Sequence, residues 1–136
     1  MEDWGRKAEY AVSAAADMAA NYAPERPLRV EDIARRTGAP PNYLRELLAR
    51  LRTVGLVASR QGPGGGYWLV RPPDRISVAE ILSALAAEDG RRSGRFSIEA
   101  PYRGVLDWLS GEVAATRRAF LRGVTLADVA GRLVGP

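Results

Sequence analysis

Cysteine and histidine are both absent from this chain of 136 residues. Without thiols there is no disulfide, no thiolate nucleophile and no thiolate ligation of an iron–sulfur cluster. Zinc sites of the usual Cys/His type and Ser-His-Asp triads are excluded as well. Carboxylate chemistry survives, but the acids fall mostly singly among helical patterns, where they read as solvated faces. A binding protein is expected, not an enzyme. Long apolar runs are also missing: none approaches the ~18 residues a membrane span needs, so no membrane partner is expected. The opening MEDWGRKAEY has acids at its head and no hydrophobic signal core, so a cytoplasmic protein is expected.

Lysine is almost absent. Nineteen of the twenty basic residues are arginine, Lys7 being the exception, a bias that G·C-rich codon usage would produce by itself. The placement of the arginines is more informative. Residues 39–75 hold Arg45, Arg50, Arg52, Arg60, Arg71 and Arg75 against Glu46 and Asp74, an excess of +4 that equals the net charge of the whole chain. Local positive charge of this kind is the footprint of an anionic partner. With 46% hydrophobic and 26% charged residues the chain reads as one globular domain.

Periodicity supplies the elements. RKAEYAVSAAADMAANYA, residues 6–23, repeats small apolar residues at helical spacing until Pro24 and Pro27 stop it. RVEDIARRTGAP forms a short helix on Val30, Ile33 and Ala34, with Gly38 as its stop. A second helix restarts near Pro41 and buries Tyr43, Leu44, Leu47, Leu48 and Leu51, leaving Asn42, Arg45, Glu46, Ala49, Arg50 and Arg52 outward. Two such helices joined by a glycine-containing turn make the helix-turn-helix pattern.

After Gly55 the period shortens. LVASR and YWLVR are two β-prone runs around GPGGG, which carries four glycines and a proline in positions 62–66. A phosphate loop of the nucleotide-binding type would need a lysine and a hydroxyl that are missing. A flexible linker would not be followed by Trp68, Leu69 and Val70. A hairpin fits, and behind a helix-turn-helix a basic, glycine-tipped hairpin is a wing. Beyond it, Ser77 and Glu80 have capping-box spacing ahead of a helix built on Ile76, Ile81, Leu82 and Leu85. Residues 88–104 read as an exposed loop. Val105, Trp108, Leu109, Val113, Phe120 and Val124 then form a helical stripe that suits either an intramolecular core or a face for another helix.

From Asn42 to Leu82 the chain resembles the Rrf2 family of bacterial winged-helix regulators, the IscR, NsrR and CymR type. Tyr43-Leu44, L-x-x-L-R-x-x-G-L-V from Leu48 to Val57, GPGGGY from Gly62 to Tyr67, Arg71-Pro72-Pro73 and ISVAEI from Ile76 to Ile81 carry the resemblance. YAVSAAADMA near the start and TLADVA from Thr125 to Ala130 extend it over nearly the whole chain. It implies a mainly α fold: a winged helix-turn-helix domain over 1–86 with a small β-hairpin wing, a loop over 87–104, and a dimerisation helix with tail over 105–136. The partners implied are double-stranded DNA and a second copy of the chain, meeting through Val105, Trp108, Leu109, Val113, Phe120 and Val124. Two recognition helices would then lie about one turn of DNA apart on a palindrome-like operator.

For base reading the resemblance directs attention to Asn42, Arg45 and Glu46, with Tyr43 opening the recognition helix. Arg50, Arg52 and Arg60 suit phosphates, although Arg52 equally suits a solvated helix face. Gly64, Gly65 and Gly66 would act through backbone shape, their amides free to approach the strand. Where relatives carry an arginine directly before the glycine run this chain has Gln61, with Arg60 one residue earlier on the opposite side of the strand. Either could enter the minor groove. Relatives that hold an iron–sulfur cluster do so through three cysteines in the loop before the long helix. Here that loop has none, and no histidine exists to replace them, so no cluster and no other metal or cofactor is expected. The expected function is a cluster-free homodimeric repressor, answering to a small metabolite or a partner protein. The alternative is a protein-interaction module on the same fold that no longer reads DNA, suggested by Glu46 and the displaced wing arginine.

Overall fold

The computed structural model describes residues 5–86 and 99–133. Helix α1 (Arg6–Ala20) is the central strut, burying Ala11, Ala14, Ala15, Met18 and Ala19. Its alanines let α2 (Val30–Thr37), α3 (Pro41–Thr53) and α4 (Val78–Ala86) pack closely around it. The helix ends at Ala20, short of Pro24, where Asn21 leaves helical geometry at φ −110° and ψ 23° and its side-chain amide caps the Asp17 carbonyl at 2.9 Å. Asp17 is itself buried, and Arg36 grips its carboxylate with two parallel bonds of 2.8 and 2.9 Å. That fork pins α2 to α1 and holds the Arg36 guanidinium above its ordinary pKa.

Helix α2 ends as expected at Gly38, whose backbone is left-handed at φ 83° and whose N–H reaches the Ala34 carbonyl. Pro41 opens α3, which buries Leu44, Leu47, Leu48 and Leu51. The hairpin pairs β1 (Val57–Arg60) with β2 (Gly66–Leu69) in antiparallel register, Val57 opposite Leu69 and Arg60 opposite Gly66. A further pairing was not legible in the sequence: Leu28, just ahead of α2, exchanges two backbone bonds of 2.8 and 2.9 Å with Tyr67 on the other edge of β2. One residue between Pro27 and Arg29 is too short a run to read as a strand.

A single 3-10 turn (Pro73–Arg75) leads to α4. The Ser77–Glu80 capping box forms, each backbone N–H donating to the other side chain at 3.1 Å. The last stretch differs from expectation. Helix α5 starts at Tyr102, inside the segment read as loop, and ends at Arg122; α6 (Leu126–Leu133) begins afresh. Thr125 and Asp128 build a second capping box there, with bonds of 3.0 and 3.1 Å. Val124 therefore does not continue the stripe along one helix but lies in the turn, half-buried against the core. Bonds of 2.8 Å from Val78 N–H to Val124 O and from Leu126 N–H to Ile76 O join the start of α6 to that of α4. With Leu126 buried and α6 packed on α1, the C-terminal helix belongs to the N-terminal core. The greater part of the loop expected over 87–104, residues 87–98, lies outside the described residues.

Candidate nucleic-acid interface

The apolar face of α3 fixes what its other face can offer. Four buried leucines anchor the helix, so Asn42, Arg45 and Glu46 are all exposed along its N-terminal half. The Arg45 guanidinium is held: Nη2 donates to Glu31 Oε2 at 2.7 Å and Nη1 to Asn42 Oδ1 at 3.0 Å. Glu46 is open, with no ion pair among the described residues. Tyr43 is half-buried, its ring edge-on to Tyr10 at 5.6 Å, which makes it a spacer between α3 and α1.

Two expectations need correction. Arg50 is not outward: it lies beside Leu51 on the flank of the buried face, half-buried, with Nη1 enclosed by protein. Nor are all three wing amides free. Gly65 is buried, and its N–H donates to the Gly62 carbonyl at 2.9 Å, closing the turn. The glycine run first serves the wing's own backbone. A Cβ on Gly65 would overlap the Arg60 carbonyl, and one on Gly66 the Leu28 carbonyl, whereas Gly64, left-handed at φ 76°, has open space around it.

Arg52 is exposed and donates to Ser59 Oγ at 2.7 Å, so its charge is carried to the junction of α3 and the wing. Arg60 and Trp68 share the outer face of the hairpin, on the diagonal of the register, with the guanidinium carbon 5.8 Å from the indole centroid. Gln61 follows, exposed, at the start of the loop. Sequence reasoning missed Trp68 as the partner of Arg60; strand register is the signal that could have found it. It also missed Glu31, which no spacing brings to Arg45, because only the angle between α2 and α3 does.

At the base of the wing, Arg71 bridges the Arg75 carbonyl and Glu80 Oε1, both at 2.7 Å. Burial pushes the Glu80 carboxyl up, but bonds from Arg71 and the Ser77 amide outweigh it and hold the group below its ordinary value. A cleft of about 660 Å³ opens beside this pair, lined among others by Arg75, Ser77, Arg122 and Thr125. It joins the wing to the α5–α6 turn.

The model of the Rrf2 family, described as an iron-dependent transcriptional regulator, matches residues 5–132. The chain belongs to the Rrf2 family. It is 35% identical over 125 residues to the HTH-type transcriptional regulator IscR of Aliivibrio salmonicida, covering 90% of this chain and 74% of that one. A regulator of Mycobacterium tuberculosis is 38% identical over 131 residues, covering 92% and 79%. Among solved structures, T. potens IscR superposes with a TM-score of 0.75 at 32% identity, covering 97% of this chain and 88% of that one. CymR of B. subtilis, a global cysteine regulator, gives 0.70 at 27%, covering 97% and 98%. This Rrf2 protein is a DNA-binding transcriptional regulator with a winged helix-turn-helix fold, and its family and relatives are regulators, not enzymes.

Iron is another matter. The whole chain has neither cysteine nor histidine, and no three carboxylates gather into a metal-holding group among the described residues. The donors present do not fit an iron–sulfur cluster. Among the described residues no helix is long and apolar enough to cross a membrane.

Proposed function

We propose that this Rrf2 protein is a homodimeric, cytoplasmic repressor that binds a palindrome-like operator without an iron–sulfur cluster. The apolar stripe on α5 carries the reading. Tyr102, Val105, Leu106, Leu109, Val113 and Phe120 fall within an arc of roughly 100° on an ideal helix, and every one is exposed, Phe120 at 71%. Trp108, about 60° beyond the arc, is 64% exposed. Only Leu121 of this 21-residue helix is buried. An exposed apolar face of that extent suits a partner helix, and a two-fold interface presents the same face twice. The dimer would set two α3 helices on successive major grooves and occlude the promoter by occupying it.

Asn42, Arg45 and Glu46 supply donors and acceptors that suit base edges, while Arg52 and Arg60 suit phosphates. Two arginines whose guanidinium groups have no hydrogen-bond partner among the described residues, Arg75 and Arg122, line the cleft beside the wing, which suits an anionic metabolite as effector. A partner protein on the same surface is the other form the effector could take.

Selection of bound duplexes from a random pool, by metal-free protein at about 150 mM salt, tests the proposal. Recovery of a two-fold-related motif is the expected result. No enrichment by a folded dimer, with or without anionic metabolites, would refute it in favour of a protein-interaction module.

A further inference from the structure

From the Glu31–Arg45–Asn42 network we infer that Glu31, a residue of α2, is a positioning residue for base recognition by Arg45. The inference rests on the DNA-reading role of α3. Arginine has five N–H donors in a fixed plane, and Arg45 spends one on Glu31 at 2.7 Å and one on Asn42 at 3.0 Å. Three remain, and a bidentate bond to a guanine edge needs two. The network thus holds the guanidinium plane without exhausting it.

Stability does not account for the arrangement. The Arg45 and Glu31 side chains are 45% and 54% exposed, a setting in which ion pairs contribute little to folding. Orientation is what such a contact supplies. A long, unheld arginine at a DNA surface can swing to any nearby phosphate, where it gains affinity but reads nothing. Glu31 opposes that swing by fixing one edge of the group. Its own charge is offset on the other side by Arg29, whose Nε lies 3.8 Å away, so the acid can face DNA as part of a net-positive cluster. Asn42 is fixed by the same network and keeps its amide N–H₂ for an adjacent acceptor.

The test is the random-duplex selection run on five full-length proteins: wild type, Glu31→Gln, Glu31→Asp, Arg45→Ala and the Glu31→Gln/Arg45→Ala double variant, with thermal unfolding of each as a control. Glu31→Gln should lose discrimination at one base pair per half-site by about fivefold or more, the scale of a single bidentate contact, while its affinity for non-cognate duplex holds or rises. Arg45→Ala should lose discrimination at the same base pair, and adding Glu31→Gln to it should change nothing further there. Glu31→Asp should recover part of the discrimination. A uniform tightening on all duplexes with discrimination intact would show that Glu31 merely repels phosphate, and would overturn the inference. So would a lowered melting temperature with unchanged discrimination. If wild type itself selects no motif, the DNA-reading role of α3 fails, and the inference falls with it.

Discussion

Replacing Gly66 by alanine should cost far more than replacing Gly64, although both sit in the same run of glycines. At Gly64 a Cβ meets nothing within 4 Å, so alanine suffers only the left-handed backbone at φ 76°, a penalty of about 1–2 kcal/mol. At Gly66 the φ of 152° is unfavourable too, and the Cβ lands on the Leu28 carbonyl. Relief requires β2 to move off Leu28, breaking the two Leu28–Tyr67 bonds of 2.8 and 2.9 Å. Two backbone bonds at ~1 kcal/mol each, added to the backbone penalty, give roughly 3–4 kcal/mol. Urea unfolding measures both variants. Gly66→Ala should also lose specific DNA affinity, because the tether that sets the angle of the wing is broken, while Gly64→Ala keeps most of it. Equal unfolding midpoints for the two variants would refute the claim that close backbone approach, and not loop flexibility, dictates glycine at position 66.

Leu109→Glu should convert a dimer of about twice 14.7 kDa into a monomer with unchanged helical content, read by sedimentation equilibrium and circular dichroism. Its operator affinity should fall by ~100-fold as the two half-sites uncouple. Arg52→Ala should flatten the dependence of log K on log salt by about 0.9 for each phosphate contact removed, roughly 2 for a dimer; an unchanged slope would assign Arg52 to bracing Ser59 alone. The Glu80 carboxyl is held below its ordinary value, so the Arg71–Glu80 stabilisation is present above the unfolded-state value and is lost as pH falls through the folded one. Glu80→Gln should therefore lower the urea midpoint at about pH 7 and leave it nearly unchanged at about pH 3. With both side chains 40% exposed, the loss at the higher pH should stay under ~1 kcal/mol.

Local signals predict the elements correctly wherever a residue type has a single dominant use. Pro41 at the first turn of α3, Gly38 beyond α2 and the Ser77–Glu80 box all stand where their chemistry requires. Failures came where a local cap went unread or where residues distant in sequence decide the outcome. The α5–α6 break is one: Gly123 looked like a weak spot in a long helix, yet Thr125–Asp128 is a capping box as good as the one that was recognised. Leu28 is another, since its strand character exists only because Tyr67 lies beside it. The exposure of Asn42, Arg45, Glu46 and Arg52 on α3 was legible by helical phase, whereas that of Arg50, one residue from the buried Leu51, was not.

Charge is where the one-dimensional reading misleads most. The excess of +4 over residues 39–75 suggested six cations available to phosphate. In the fold, Arg45 and Arg71 are each paired with an acid from outside that segment, Glu31 and Glu80. The local excess is thereby halved, and the two neutralised cations sit in the N-terminal half of α3 and at the base of the wing. Arg52 and Arg60, exposed and held by Ser59 and Trp68, keep full charge at the junction of helix and wing and on the outer face of the hairpin. The arginines of this segment thus divide by partner. Those facing a carboxylate, Arg45 and Arg71, are oriented at the expense of net charge. Those facing a hydroxyl or an aromatic ring are oriented without losing charge, which favours attraction to any phosphate backbone.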